Sequence, residues 1–236
     1  MSKAKEYNRL QQLDTSTDTQ TARLAAVEES LGQRDAVNAI KSKFERTQAA
    51  LDEARARQRD LEWELGNTKQ KLTRLEKTMY SGSVTNPKEL GDMRQESEHL
   101  RRRRDQLQDR TLDAMMTVEE LEEQAGTQRE VWEGAEQAWA DEQDDLRTER
   151  EALFEELAAL RAERQAQASR LGAAGLARYE RLRVKKGGLA VVPLQGTLCT
   201  GCQLSLPSAD VQKVRVDAVV NFCPHCGRIL IYGGPA

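Results

Sequence analysis

Aromatic side chains are scarce in this chain: three Phe, four Tyr and three Trp make up 4 % of its 236 residues. So few large rings do not fill the core of an ordinary globular domain of this length. Proline is missing from residues 1–86 and again from 88–192, so helix breakers interrupt nearly two hundred residues only at Pro87. No apolar run approaches the roughly 18 residues that a membrane-spanning helix needs. The opening Met-Ser-Lys-Ala-Lys-Glu lacks the hydrophobic stretch of a signal peptide. Catalytic patterns are missing too. There is no glycine-rich phosphate loop, no Gly-x-Ser-x-Gly, and only two histidines, so an enzyme is not expected. Cysteine is absent before residue 199.

What is abundant is charge, 32 % of residues, on a background of Ala, Glu, Arg, Leu and Gln. That composition belongs to long helices or coiled coils. The net charge of −3 is unevenly spread. From Tyr179 onward seven basic residues face three acids, a local +4, while residues 1–178 carry 29 bases and 36 acids, a local −7.

Apolar periodicity divides the chain into two arms. From Leu90, steps of three and four give Leu90, Met93, Ser97, Leu100, Arg104 and Leu107, and the same frame runs on to Leu160 without a slip. Glu142, Glu149 and Glu156 fall on that frame, whereas Met116 and Leu157 fall off it and are candidates for pairing copies. The first arm repeats the pattern from Val37 through Phe44, Leu51, Leu61, Leu65 and Leu72 to Met79. Leu24, Val27 and Leu31 lie one residue out of phase, which predicts an irregularity near Gly32. Residues 1–20, rich in Thr, Ser, Asp and Gln, form the weakest helical segment.

Between the arms, Gly82 stops one helix, Asn86 caps the next, Pro87 takes its first position and Glu89 its third. A turn this short makes the arms antiparallel. The expected fold is therefore mostly α: a long antiparallel two-helix coiled-coil hairpin with a small C-terminal β zinc ribbon. Its boundaries are residues 1–184 for the hairpin and 185–236 for the ribbon. Arm 1 covers about 7–80, the tip 81–86 and arm 2 about 87–184, loosening at Gly172–Gly175. In the ribbon, strands are expected at 189–194, 217–222 and 228–232, with a helical turn from Pro207 to Val214.

The cysteines carry the strongest chemical signal. Cys199-Thr-Gly-Cys202 and Cys223-Pro-His-Cys226 are separated by residues 203–222. Two Cys-x2-Cys pairs at that distance give a tetrahedral metal site. In a reducing cytosol they favour metal over disulfide, and one structural zinc is the expected cofactor. Iron in a rubredoxin-like site competes, because Cys-Pro-x-Cys-Gly also occurs there. Four thiolates leave no open coordination position, so His225 is expected to point outward.

Basic residues offer a second candidate surface. Arg181, Arg183, Lys185 and Lys186 lead into the ribbon, near Lys213 and Arg215 in sequence. They suit phosphate or partner contact, or a helix C-terminus that attracts cations. Tyr179, Phe222 and Tyr232 suit the ribbon's core or stacking on bases. Arg101–Arg104 point in four directions on a helix and read as a solvated collar. Trp132 and Trp139, one heptad apart, are expected to pack on the first arm.

Three stretches resemble a family of bacterial coiled-coil hairpin proteins with a C-terminal C4 zinc ribbon. They are the tip Met79–Leu90, the neck Arg178–Arg183 with Lys186–Val192, and the ribbon Cys199–Cys202, Leu206-Pro207 and Cys223–Leu230. The resemblance implies zinc on Cys199, Cys202, Cys223 and Cys226. It also implies a role as adaptor or chaperone for flagellar, secretion or sigma-54-dependent transcription components, and RNA binding has been proposed in such relatives. The resulting expectation is a cytoplasmic, non-enzymatic, zinc-binding adaptor or chaperone-like scaffold whose rod, tip and head engage protein partners of a larger bacterial machinery, without membrane insertion, as a monomer or homodimer. A nucleic-acid-binding protein using the basic neck and ribbon is the alternative.

Overall fold

The computed structural model describes residues 3–216 and 219–233. Asp217 and Ala218, at the start of the strand expected over 217–222, lie outside the described residues. The elements in chain order are α1 (Lys3–Ser30), α2 (Asp35–Tyr80), α3 (Pro87–Lys185), β1 (Val191–Gln195), β2 (Leu198–Cys199), α4 (Ser208–Val216), β3 (Asn221–Phe222) and β4 (Ile229–Tyr232). Long helices form a hairpin and a small C-terminal sheet carries the cysteines. The chain divides into two units: Arg34–Glu142, and Met1–Gln33 with Gln143–Ala236.

In the unit Arg34–Glu142, α2 packs on the first part of α3 through the expected seam. Val37, Leu51, Leu61, Leu65 and Leu72 are buried on one helix; Leu107, Thr111, Ala114, Val118 and Ala125 are buried on the other. Thr111 sits in the seam because its hydroxyl donates to the Leu107 carbonyl at 2.7 Å, leaving no orphaned polar group. Trp132 stacks on Phe44 at 5.6 Å, and the Arg34 guanidinium lies 4.5 Å from the centre of the Trp139 ring. Both tryptophans thus pack against the first arm. Ion pairs flank the seam: Arg34–Glu136, Arg55–Glu122, Arg103–Glu64 and Arg101–Glu76. Each is worth at most about 1 kcal/mol at such exposure, so they select register while the apolar seam supplies the stability. The four-arginine run is absorbed in this way, since Arg102 pairs with Glu98 and Arg104 with Asp105.

The hairpin turn follows its local chemistry. The Ser81 hydroxyl and amide both donate to the Thr78 carbonyl as α2 ends. The Asn86 side chain accepts from the Lys88 amide at 3.0 Å, capping α3 at Pro87.

The other unit departs from expectation at its seam. The first arm is two helices, broken at residues 31–34 where the phase change near Gly32 was expected. The second arm slips opposite this break: Gln143, Leu153 and Leu157 are buried, while Glu142 and Glu156 are exposed. Gln143 follows Trp139 by four residues where the heptad calls for three, a stutter with a clear cause. The break between α1 and α2 frees the Gly32 amide, and the Gln143 side chain accepts from it at 2.7 Å. Glu149 sits at the edge of the seam, bound by Arg23 at 2.6 Å. Leu157, at 2 % exposure, is a seam residue and is not available for pairing copies.

Near the ribbon, α3 kinks at Gly172 (φ 70, ψ 164) and then continues. Gly175 is required there, because a Cβ would stand 2.8 Å from the Tyr7 hydroxyl oxygen. The four strands run β2-β1-β4-β3, with β1 parallel to β4 and the outer pairs antiparallel. Alternation along the strands makes two cores. Val192, Leu194 and Leu230 face α4 (Val211, Val214) and the cysteines. Val191 and Ile229 meet Tyr7, Leu10 and Tyr179 on the opposite side.

The weakly patterned start of α1 is therefore the second layer of the sheet. Gln11 donates to the Gly188 carbonyl at 2.7 Å and accepts from the Ala190 amide at 2.7 Å. Asp14, 3 % exposed, accepts from Tyr179 at 2.7 Å and pairs with Arg164 at 2.6 Å and Arg183 at 3.4 Å. A carboxylate so deeply buried persists because each oxygen has a donor. Burial and the Asp14 hydrogen bond together hold the Tyr179 phenol well above its ordinary range. The unit should accordingly tell Leu157 from its neighbour. Leu157→Ala should lower its stability by about 2–5 kcal/mol, while Glu156→Ala stays within about 0.5 kcal/mol, read by chemical denaturation. Equal effects would restore the unslipped register.

Candidate metal centre

Two turns of nearly identical construction bring the cysteines together. In the first, the Gln203 amide donates to the Cys199 carbonyl at 2.8 Å, and the Cys199 amide to the Leu204 carbonyl at 3.0 Å. In the second, the Gly227 amide donates to the Cys223 carbonyl at 2.8 Å, and the Cys223 amide to the Arg228 carbonyl at 2.8 Å. Each knuckle places its fifth residue in the left-handed region, Gln203 at φ 60 and Gly227 at φ 75. Glycine takes that conformation without cost, whereas a residue with a Cβ is strained by about 1–2 kcal/mol. The two knuckles are one motif, and only the second carries the residue it prefers.

The sulfurs converge. Cys199 Sγ is 3.9 Å from Cys226 Sγ, Cys202 Sγ is 3.7 Å from Cys223 Sγ, and all four lie within 4.8 Å of one another. A tetrahedron with Zn–S bonds of about 2.3 Å has edges of about 3.8 Å, so the cage fits one zinc ion. Cys199 and Cys223 are buried, and Cys202 and Cys226 are partly covered.

Backbone amides are aimed at the sulfurs. Gly201 and Cys202 donate to Cys199, Leu204 to Cys202, and Arg228 to Cys226. Such bonds orient the ligands and stabilise thiolate charge. Burial pushes the Cys199 thiol up to about 12 against its amide donors. At Cys226 burial acts the same way, but the Arg228 amide, the neighbouring Cys223 thiol and the Arg228 side chain together outweigh it and bring the group down to about 7. Metal binding therefore displaces a proton from Cys199 at neutral pH. With four thiolates bound, zinc would have no open position, and the metal's role would be structural. His225 is exposed at the surface of the second knuckle and stands outside the ligand set.

The basic residues are scattered in role. Arg183 is half-buried and pairs with Asp14 and Asp18, and Lys213 pairs with Asp210 on its own helix. Arg181, Lys185, Lys186 and Arg215 have no ion-pair partner among the described residues. Arg215 covers the Tyr232 ring at 5.1 Å, and Arg178 covers Phe222 at 5.5 Å. Tyr179 is core, fully buried, whereas Phe222 and Tyr232 are 37 % and 38 % exposed. Those two end short strands, and an arginine lies over each ring in place of core atoms.

Family comparison agrees with both parts of the architecture. The model of the CT398-like coiled coil hairpin domain matches residues 8–187, and that of the C4-type zinc ribbon domain matches residues 198–230. The chain belongs to the CT398-like coiled-coil hairpin family. The solved structure of CT398 from Chlamydia trachomatis superposes with a TM-score of 0.68 at 21 % identity, covering 97 % of each chain. A solved Mycobacterium smegmatis protein gives 0.60 at 19 % identity, covering 98 % of this chain and 100 % of that one. The uncharacterized Mycobacterium tuberculosis protein Rv2229c (strain H37Rv) is 26 % identical over 232 residues, covering 91 % of this chain and 90 % of its own length.

One functional residue of this CT398-like ribbon escapes sequence reading. The Arg228 guanidinium donates to the carbonyls of Leu189 (2.8 Å), Gly201 (2.8 Å) and Lys186 (3.3 Å). It thereby joins the second knuckle to the first and to the neck. Its sequence signal, an arginine after Cys-x2-Cys-Gly, looks like any surface charge.

Knuckle strain yields a paired expectation. Gly227→Ala should destabilise the zinc-loaded ribbon by about 1–2 kcal/mol. Gln203→Gly should raise its stability by up to about 1 kcal/mol. Thermal melts of the zinc-loaded protein test the pair, and shifts in the same direction would break the equivalence of the two turns.

Proposed function

We propose that this CT398-like protein is a non-enzymatic adaptor whose hairpin, tip and zinc-ribbon head present shaped surfaces to protein partners. The observation that carries this reading is the closed four-thiolate cage inside a head whose sheet shares a core with α1 and the neck. A metal enclosed in that way builds a surface and has no position left for substrate. The two histidines, His99 and His225, are both exposed and far apart in sequence, which suits neither a nucleophile–base pair nor a further metal ligand. The partner is read as protein because the coiled-coil hairpin is an interaction scaffold and leaves much polar helix face accessible. No helix of the described residues is long and apolar enough to cross a membrane.

A nucleic-acid reading has one observation in its favour. Arg181, Lys185, Lys186 and Arg215 lack acidic partners among the described residues, and they belong to the neck and head. Arg183, by contrast, is held by Asp14 and Asp18, so it is an internal strut and a poor phosphate ligand.

The decisive experiment is fluorescence anisotropy of the zinc-loaded protein against mixed RNA and DNA, from low to physiological salt. The variant Arg181→Glu, Lys185→Glu, Lys186→Glu runs alongside and leaves the Arg183 strut intact. The adaptor reading expects flat traces at physiological salt. Submicromolar binding there that the triple variant loses would transfer the function to nucleic-acid recognition.

Metal removal provides a second check. A strong chelator should make residues 190–233 protease-sensitive while most helical circular dichroism remains, because a head this small depends on its metal. A head equally protected without zinc would overturn the structural role of the cage.

A further inference from the structure

We propose that Arg228 makes the neck part of the metal site, so that metal occupancy of the four-cysteine cage and closure of residues 186–190 are coupled through one guanidinium. The coupling lies inside the head and neck and holds whichever partner they meet.

An α-helix leaves its last carbonyls without intrahelical partners. α3 ends at Lys185, and the chain then turns through Gly187 and Gly188, both at positive φ, into β1. The carbonyls of that turn are shared between two distant parts of the sequence. Gln11 of α1 takes Gly188, the Ile229 amide takes Ala190, and the Arg228 guanidinium takes both Lys186 and Leu189. A cation is favoured there, because a helix C-terminus carries partial negative charge. No carboxylate pairs with Arg228 among the described residues, so its charge is directed at carbonyls and at the Cys226 sulfur.

The same residue is built into the cage. Its amide donates to the Cys226 sulfur, and its carbonyl accepts from the Cys223 amide at 2.8 Å. From there the side chain crosses the first knuckle and donates to the Gly201 carbonyl at 2.8 Å. The crossing depends on a missing side chain. A Cβ on Gly201 would stand 2.9 Å from Arg228 Cδ and 3.1 Å from Val192 Cγ1, so the arginine would have to move. The guanidinium therefore reaches the neck only while both knuckles hold their places, which is what ligation by four shared thiolates secures. Opening of the cage frees the knuckles and withdraws Arg228 from the Lys186 and Leu189 carbonyls, and the turn loosens. Linkage makes the effect reciprocal: a closed neck raises the affinity of the cage for its metal.

Amide hydrogen exchange of the full chain tests this, with zinc loaded or removed by a chelator. In the native chain, the Lys186, Gly188 and Leu189 amides should exchange about tenfold faster or more once zinc is removed, while amides near Leu153 hold. Arg228→Gln, still carrying its zinc, should exchange at those neck amides like the zinc-free chain. Its zinc affinity, read by chelator competition, should fall about 10- to 100-fold. Gly201→Ala is the second arm: it keeps the guanidinium, fills the space it crosses, and should give the same two changes. Protection of the β1 amides reports that each zinc-loaded variant is folded. A strut without coupling would lower neck protection by the same factor with and without zinc, and that outcome overturns the proposal. So would neck amides indifferent to zinc in the native chain, or an unchanged zinc affinity in both variants. Failure of the adaptor reading leaves these results untouched, since no partner enters the assay.

Discussion

Four sulfurs held within 4.8 Å of one another impose the constraint on which the head depends. As thiolates they repel, and only a dication at their centre turns that repulsion into cohesion. The sheet is too small to hold them by itself, with strands of two to five residues. Its inner core includes Cys199 and Cys223 as apolar members beside Val192, Leu194 and Leu230. Ligation and hydrophobic burial are thus one event there. Arg228 extends the constraint outward by fastening the first knuckle and the neck to the second knuckle.

The hairpin depends on a different balance. Its seam is narrow and partly polar, and each polar seam residue has a local reason: Thr111 bonds its own helix, and Gln143 satisfies the amide freed at Gly32. Around Asp14 the balance tightens further. Two arginines and a tyrosine surround one carboxylate where helix, neck and sheet meet. Removing one partner from such a cluster costs far more than an exposed ion pair contributes, because the remaining charge stays buried. The arms and the base of the head therefore tolerate charge changes very differently.

Features set by neighbouring residues are legible in the sequence. Each cysteine pair needs four consecutive residues, the tip needs Asn86 and Pro87, and the α2 seam needs only a steady heptad. The stutter at Gln143 is not legible, because a glutamine on a seam looks no more apolar than Glu142 beside it. The docking of α1 is hidden for another reason. Gln11 and Asp14 read as ordinary polar helix residues, and their partners Ala190 and Tyr179 lie more than 160 residues away. β2, two residues long, offers no period to detect, and the parallel pairing of β1 with β4 has no local signature.

The contact between Gln11 and Ala190 spans 179 residues, and it has a bearing on how the chain acquires its structure. During synthesis α1 emerges first and the sheet that covers it emerges last. Closing so long a loop directly is slow, because the ends must meet before any contact rewards them. The hairpin grades the separation: facing partners stand 25 residues apart at Arg101–Glu76, 67 at Arg55–Glu122 and 126 at Arg23–Glu149, so each closure shortens the loop left for the next. In this molecule the hairpin turns one closure of 179 residues into a ladder of shorter ones.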